Sequence, residues 1–226
     1  MILADFGTSY SKFVDLDEAG REPYMLPTKE LPKSLKVDLA TGHNGKRFCT
    51  EYVNELTALA RGGEALIAES DYLILDCGSR DIKYVHYKDG RLLDMGWNAE
   101  CGASMGFTIE LLENYYRLDF NKLPVPERTF SVTCGVLGIS KIFDAITSGI
   151  DEAEAVARFV KGIALNAYRF AGAPGKIYLS GGLCDNRLFV ESFPCEVVPL
   201  GRYVLLAGLE ESHRLIREGK LKKCST

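Results

Sequence analysis

Hydrophobic and polar residues follow two different periods along this chain. Segments that predict strands, several of them short apolar runs, occupy positions 2–4, 37–40, 72–75, 91–95, 176–179 and 196–198. Helical spacing of apolar residues predicts helices over 51–60, 104–117, 136–147, 151–171 and 203–218. Strands and helices mixed on this scale predict an α/β protein. The first helix is expected to stop at Gly62 and Gly63, and the last helix contains Ala207 and Gly208, which would let it pack closely.

One short string occurs twice, seventy-one positions apart. Its copies run over positions 5–14 and 76–85 and share an aspartate, a glycine, a hydroxyl residue, a lysine, an aromatic residue and a valine. Each copy predicts a strand, a tight glycine turn and a second strand. We expect a first subdomain over residues 1–70, with the helix of residues 203–226 packing back on it. A second subdomain is expected over residues 71–202.

The repeated turns have the chemistry of phosphate-binding loops. Backbone N–H groups and hydroxyls of such a turn can surround phosphate oxygens, and glycine permits their close approach. An aspartate at a strand end can hold a magnesium ion through water, which assigns Asp5 and Asp76 to the metal. The expected phosphate contacts are Gly7, Thr8, Ser9, Lys12, Gly78, Ser79 and Lys83. The alternative is a pair of ordinary hairpins with a chance similarity.

A third turn adds to this pattern. The apolar run at 176–179 leads into Gly181 and Gly182, and Asn186 stands at the start of a short predicted helix. Two glycines let the backbone lie flat against a purine or a ribose. These three residues are therefore expected to frame an adenosine. The order of hairpin, hairpin and Gly-Gly turn makes nucleotide binding the favoured interpretation.

The composition favours a globular protein and argues against several functional classes. With 226 residues, 46% of them hydrophobic, the chain can bury one large core or two small ones. A net charge of -4 and the lack of a basic stripe in the sequence argue against nucleic-acid binding. The sequence shows neither a signal-peptide core nor an apolar stretch of membrane-spanning length. A cytoplasmic protein without membrane partners is expected.

The seven cysteines are odd in number and form no CxxC pairs, which is typical of reduced thiols. Cys77, Cys184 and Cys195 are interpreted as small, inert core residues. Cys101 and Cys134 differ, because each precedes a glycine and then a run with helical spacing. Each thiolate would thus sit at a helix N-terminus, where its pKa is lowered and metal binding is favoured. The alternative is that both are buried structural residues.

Taken in order, these motifs resemble the actin-like ATPase superfamily, and within it the activators of 2-hydroxyacyl-CoA dehydratases and the ATPase subunits of benzoyl-CoA reductase. Segments 98–106 and 134–140 look like the two cysteine motifs of that family, and 76–83 looks like its Asp-Ile-Gly-Gly-Gln-Asp-Ser-Lys hairpin. Segments 41–45 and 54–57 resemble its Thr-Gly-Tyr-Gly turn and its Ser-Glu-Ile segment. The resemblance implies an actin-like (ribonuclease H-like) fold of two related subdomains, with mixed sheets flanked by helices.

The resemblance also implies an ATP-dependent electron-transfer activator. In that family a homodimer shares one [4Fe-4S] cluster, which would make Cys101 and Cys134 of each subunit its ligands. Each subunit would bind ATP or ADP with Mg²⁺ between its two halves. The implied electron donor is a ferredoxin or a flavodoxin. The implied acceptor is an iron–sulfur dehydratase or reductase that acts on an acyl-CoA.

The chain departs from the family where Ser79 and Arg80 replace a glycine and a glutamine. The glutamine could position water, so Arg80 bears on the hydrolysis rate and could instead neutralise phosphates. The residues expected to act in catalysis are Asp5, Asp76, Arg80 and Asp81. Two other functions stay open. One is a small-molecule kinase with Asp81 as its base, and the other is a nucleotide-dependent assembly or sensor protein without catalysis.

Overall fold

A computed structural model of the chain describes residues 1–98, 105–132 and 135–220. Its internal contacts divide the chain into two compact units. Unit 1 contains Met1–Asp71, Val85–Asp94 and Arg202–Thr226, and unit 2 contains Tyr72–Tyr84 and Met95–Gly201. Across the described ranges, none of the helices has both the length and the apolar character needed to cross a bilayer.

The first sheet has five strands in the order β3-β2-β1-β4-β5. Its strands are β1 (Ile2–Phe6), β2 (Tyr10–Asp15), β3 (Tyr24–Pro27), β4 (Val37–Gly42) and β5 (Cys49–Tyr52). Strand β1 is antiparallel to β2 and parallel to β4, so the sheet is mixed. The helices α1 (Glu55–Leu66) and α6 (Val204–Arg217) pack against each other, and both contact β4.

The second sheet has five strands in the order β10-β9-β6-β7-β8. Its strands are β6 (Tyr72–Cys77), β7 (Ile82–Lys88), β8 (Arg91–Asn98), β9 (Lys176–Ser180) and β10 (Glu196–Gly201). The helices of unit 2 are α2 (Met105–Tyr116), α3 (Gly135–Thr147), α4 (Glu152–Phe170) and α5 (Arg187–Glu191). Phe120, Phe159 and Phe189 are fully buried in its core.

The two sheets repeat one strand arrangement. When the second order is written in reverse, β8-β7-β6-β9-β10 matches β3-β2-β1-β4-β5 strand for strand. The central strand of each sheet, β1 or β6, carries the aspartate of one repeated string at or near its end. On its other side each central strand pairs in parallel with a later strand, β4 or β9. The predicted α/β architecture is confirmed, and the internal repeat extends from the hairpins to the whole sheets.

The helix predicted over 51–60 is wrong at both ends. Residues Cys49–Tyr52 form strand β5, and α1 begins after Asn54, whose side chain accepts a hydrogen bond from the Leu56 N–H at 2.9 Å. The helix then continues through Gly62 to Leu66, because this glycine serves packing and does not end the helix. A Cβ at position 62 would overlap the carbonyl oxygen of Val204 in α6.

Gly208→Ala should destabilise the protein, because a Cβ at this position would overlap the carbonyl oxygen of Ala58 in α1. The two helices would have to separate, and overpacking of this kind costs about 1–3 kcal/mol. We expect the free energy of unfolding, measured by urea denaturation, to fall by about 2 kcal/mol.

The matched control for this variant is Gly175→Ala, since a Cβ at position 175 meets no atom within 4 Å. Its free energy of unfolding should stay within about 0.5 kcal/mol of the wild type. Equal stability of the two variants would show that the contact between α1 and α6 does not need a glycine.

Candidate functional site

The first hairpin turn brings together the residues predicted for it. Asp5 lies near the end of β1 and is 3% exposed. Lys12 is its partner in register on β2, and the Lys12 Nζ donates to Asp5 Oδ2 at 2.6 Å. Gly7 follows in the turn, where a Cβ would lie 2.5 Å from the Tyr10 carbonyl oxygen, so a side chain is excluded.

A residue that the sequence did not suggest fixes this turn from the side. The Thr28 hydroxyl donates to the Gly7 carbonyl oxygen at 2.7 Å. The Thr28 N–H donates to the Ser9 carbonyl oxygen at 2.9 Å. Thr8 lies between the two anchored residues and is exposed. The turn is therefore held from one side, while the hydroxyl residue at its tip remains accessible to a ligand.

In the second hairpin, the side chains at the corresponding positions have different hydrogen-bond partners. Asp76, near the end of β6, is 5% exposed, and the Ser180 hydroxyl donates to its Oδ1 at 2.7 Å. Ser180 is the partner of Asp76 in register on β9. Lys83, which corresponds to Lys12, donates instead to Asp81 Oδ1 at 2.6 Å. The reason is local, because Tyr10 stands in the first copy where the second has Asp81.

The ion pair of Lys83 and Asp81 is buried and involves a third residue. The Trp97 indole N–H donates to Asp81 Oδ2 at 2.9 Å, and the Lys83 Nζ lies 5.4 Å from the centre of the Trp97 ring. Lys83 is 2% exposed, so its ammonium group relies on these neighbours. Sequence reasoning missed Trp97. Its one available signal was its identity as the single tryptophan, just beyond a predicted strand.

In the Gly-Gly turn, packing requires the first glycine and leaves space for a side chain at the second. Gly181 has φ 94°, and a Cβ there would overlap the Cys77 carbonyl oxygen at the end of β6. At Gly182, a Cβ would meet nothing within 4 Å, so local packing does not require glycine there. The Asn186 side-chain oxygen accepts a hydrogen bond from the Phe189 N–H at 2.9 Å and caps α5.

The second turn also holds the beginning of α2. The Phe107 N–H donates to the Ser79 carbonyl oxygen at 2.9 Å, and a Cβ on Gly106 would overlap the Gly78 carbonyl oxygen. Arg80, the residue after Ser79, is half-buried. The backbone of this turn is therefore in direct contact with the start of α2. The predicted cluster ligands Cys101 and Cys134 lie outside the described residues.

Three other cysteines are interpreted from the sequence as inert core residues, and two of them are buried. Cys77 and Cys184 are buried in the core of unit 2, and Cys195 is half-buried against it. Burial raises the pKa of the Cys77 thiol well above its usual value, and the nearby charge of Asp76 adds to the effect. The Cys77 thiol thus stays protonated at neutral pH. The Cys184 thiol donates to the Leu179 carbonyl oxygen at 2.9 Å.

A single carboxylate at the end of a strand is suited to a magnesium ion that binds together with a nucleotide. Among the described residues, no group of three or more His, Cys, Asp or Glu side chains could enclose a metal. Magnesium commonly keeps several waters and binds through one or two carboxylates together with phosphate oxygens. Asp5 and Asp76 suit this arrangement, because each carboxylate is held by a donor at a strand end.

Known proteins resemble this chain in sequence and in fold. No protein-family model matches the sequence. The (R)-2-hydroxyglutaryl-CoA dehydratase activating ATPase of Acidaminococcus fermentans is 22% identical over 166 residues, which cover 68% of this chain and 64% of that protein. The match therefore spans just under two thirds of that relative.

Two solved structures resemble the whole chain. The activator of the 2-hydroxyisocaproyl-CoA dehydratase from Clostridium difficile with bound ADPNP has a TM-score of 0.74 at 18% identity and covers 100% of this chain and 99% of its own. Component A of the (R)-2-hydroxyglutaryl-CoA dehydratase from Acidaminococcus fermentans has a TM-score of 0.72 at 19% identity, with coverage of 94% and 96%.

The chain has the fold of the actin-like ATPases. The proteins that match the chain include activators of 2-hydroxyglutaryl-CoA and 2-hydroxyisocaproyl-CoA dehydratases, in agreement with the resemblance seen in the motifs.

Ser180→Ala should lower stability, because it leaves the buried Asp76 carboxylate without the hydroxyl donor at 2.7 Å. Hydrogen bonds to charged groups contribute about 1.5–3 kcal/mol, so we expect the free energy of unfolding in urea to fall by about 2 kcal/mol.

Ser192→Ala is the control, since Ser192 is also buried in unit 2 and its hydroxyl donates to the neutral carbonyl oxygen of Leu188 at 2.6 Å. Its free energy of unfolding should fall by about 1 kcal/mol or less. The interpretation of Ser180 as a partner for a buried charge is contradicted if both variants lose the same stability.

Proposed function

We propose that this chain is an ATP-dependent activator that supports low-potential electron delivery to a 2-hydroxyacyl-CoA dehydratase or a related acyl-CoA reductase. The observation that carries the proposal is the doubled arrangement of a buried aspartate, a glycine turn and a donor on an actin-like fold. The choice of acceptor comes from the relatives, which include dehydratase activators.

In this proposal each hairpin turn supplies contacts to an Mg²⁺-nucleotide. Asp5 and Asp76 hold the hydrated magnesium ion, and the turn residues from Gly7 to Ser9 and from Gly78 to Ser79 contact phosphate oxygens. Gly181 and Gly182 lie against the adenosine, and the open space at position 182 supports this. Lys12 and Lys83 add positive charge, and each ammonium group also has a carboxylate partner. The half-buried Arg80 has the charge needed to neutralise a terminal phosphate.

The redox part of the proposal rests on the two cysteine motifs. Cys101 and Cys134 of two subunits would supply four thiolates, the number that a [4Fe-4S] cluster commonly needs. When bound, the cluster would supply one-electron chemistry for the transfer from a ferredoxin or flavodoxin donor. The hydrogen bond from Phe107 to Ser79 supports coupling, because it ties the phosphate turn to the helix that follows the Cys101 segment.

The surroundings of Asp81 favour an ATPase over the kinase alternative. Asp81 accepts from Lys83 at Oδ1 and from Trp97 at Oδ2, so both oxygens already have strong donors. A catalytic base for an acceptor hydroxyl needs an oxygen directed at that hydroxyl and free to take its proton. The doubly held Asp81 instead fits a structural role in the turn.

Anaerobically purified wild-type protein should contain about four irons per dimer, together with sulfide and the matching absorption spectrum. Cys101→Ala and Cys134→Ala should each remove the iron, because a cluster that loses two of its thiolates per dimer is not retained. Iron and sulfide analysis with absorption spectroscopy measures this outcome.

Cys49→Ala is the control, since Cys49 opens β5 in unit 1 and is half-buried. It should keep the iron of the wild type. Iron-free wild type under strict anaerobiosis counts against the redox role, and nucleotide binding without hydrolysis would then favour an assembly or sensor protein.

A further inference from the structure

Both units place a hydroxyl residue beside the strand-end aspartate in the same register. Thr41 on β4 is the partner of Asp5, and Ser180 on β9 is the partner of Asp76. Each hydroxyl residue is followed by a glycine with positive φ, which is 92° at Gly42 and 94° at Gly181. The two positions are therefore structural counterparts in the repeated sheets.

The two counterparts differ in their hydrogen bonds. The Ser180 hydroxyl donates to Asp76, whereas the Thr41 Oγ1 is buried and has no hydrogen-bond partner in the part of the chain that the structure describes. A buried hydroxyl without a partner is unfavourable and rare in native proteins. Its presence directly beside Asp5 calls for a physical explanation.

The position of Thr41 is fixed by tight packing at the end of β4. A Cβ at position 42 would lie 2.5 Å from the Phe6 carbonyl oxygen and 2.6 Å from the Phe6 nitrogen, so β4 meets the end of β1 through a bare backbone. The Tyr52 hydroxyl donates to the Gly42 carbonyl oxygen at 3.2 Å. Thr41 thus belongs to a rigid strand end, and its side chain lies on the same face of the sheet as Asp5.

In unit 1 the donor to Asp5 is an ammonium group, since the Lys12 Nζ donates to Asp5 Oδ2 at 2.6 Å. In unit 2 the corresponding Lys83 donates to Asp81, and Asp76 accepts from Ser180. A strand-end aspartate can thus accept from a lysine, as in unit 1, or from the hydroxyl residue beside it, as in unit 2.

We propose that Thr41 is the reserve donor for Asp5. When the phosphates of a nucleoside triphosphate draw the Lys12 ammonium away, the Thr41 hydroxyl donates to Asp5, as Ser180 already does to Asp76. Phosphate oxygens compete well for an ammonium group, since a charge-assisted bond to a polyphosphate is strong. The exchange keeps the buried Asp5 carboxylate hydrogen-bonded after Lys12 has moved. The nucleotide step rests on the proposed function.

The first test uses Thr41→Val, which removes the hydroxyl and keeps the shape of the side chain. Titration calorimetry with a non-hydrolysable ATP analogue and Mg²⁺ should show affinity at least about tenfold weaker than the wild type. The thermal midpoint of the unliganded variant should not fall, since the hydroxyl has no partner before the nucleotide binds. Thr41→Ser, which restores a hydroxyl, should recover most of the affinity.

The second test needs no nucleotide. In Lys12→Met the ammonium group is gone, so Thr41 should donate to Asp5 in the unliganded protein. Adding Thr41→Val to Lys12→Met should then lower the thermal midpoint, although the same change in the wild type does not. Thr41→Ala, added to both backgrounds, repeats the comparison without a β-branched side chain and decides the matter if Thr41→Val does not fold.

The outcomes separate this inference from the proposed function. A Thr41→Val variant with wild-type affinity overturns the inference and leaves the proposed function intact. An equal fall of the midpoint in both backgrounds also overturns it, because the hydroxyl would then act only in packing. If the wild type binds no nucleotide, the proposed function fails. The thermal midpoints of Lys12→Met with and without Thr41→Val then decide whether Thr41 can replace Lys12 as the donor to Asp5.

Discussion

The candidate site depends on one packing constraint that occurs once in each unit. A glycine with positive φ ends β4 in unit 1 and directly follows β9 in unit 2. Each lies so close to the neighbouring strand that a Cβ would overlap its backbone, at Phe6 in unit 1 and at Cys77 in unit 2. The residue before each glycine is thereby fixed beside a strand-end aspartate. This aspartate is buried, so it requires a donor, and the choice of donor sets the electrostatics of the turn.

One difference in sequence separates the two copies. Where the second hairpin has Asp81, the first has Tyr10, so Lys12 has the strand-end aspartate as its carboxylate partner while Lys83 turns to Asp81. Two turns of similar sequence thus use different hydrogen-bond donors for the strand-end aspartate. The first carries an ion pair that a phosphate can compete for, and the second carries a carboxylate held by a neutral hydroxyl.

Sequence patterns predicted the elements well where local chemistry decides the structure. The hairpins around Gly7 and Gly78 follow from turn and strand signals, and α4 begins at the Asp151 cap close to its predicted start. The C-terminal end predicted for α1 is wrong because Gly62 contacts α6, which lies far along the chain, and a local pattern carries no information about that partner.

The partners of the charged side chains were equally hidden from the sequence. Lys83 matches Lys12 in the repeated string, and its partner is decided by Asp81 and by Trp97 on another strand. The roles of Thr41 and Ser180 required the strand register, because the hydroxyl-glycine pairs lie far from the hairpins along the chain. The role of Cys101 and Cys134 as cluster ligands remains a prediction, since both lie outside the described residues.

We propose that a strand-end carboxylate recruits magnesium together with the nucleotide, and Asp76→Asn tests this most directly. The amide oxygen can still accept from Ser180, so the fold should persist while the charge is lost. Calorimetric titration with a non-hydrolysable ATP analogue, in Mg²⁺ and in EDTA, should show an affinity gain from Mg²⁺ of about tenfold or more in the wild type. The same gain is expected in Asp144→Asn, which alters an exposed carboxylate on α3, and it should vanish in Asp76→Asn. An undiminished gain in a folded Asp76→Asn protein would contradict the account.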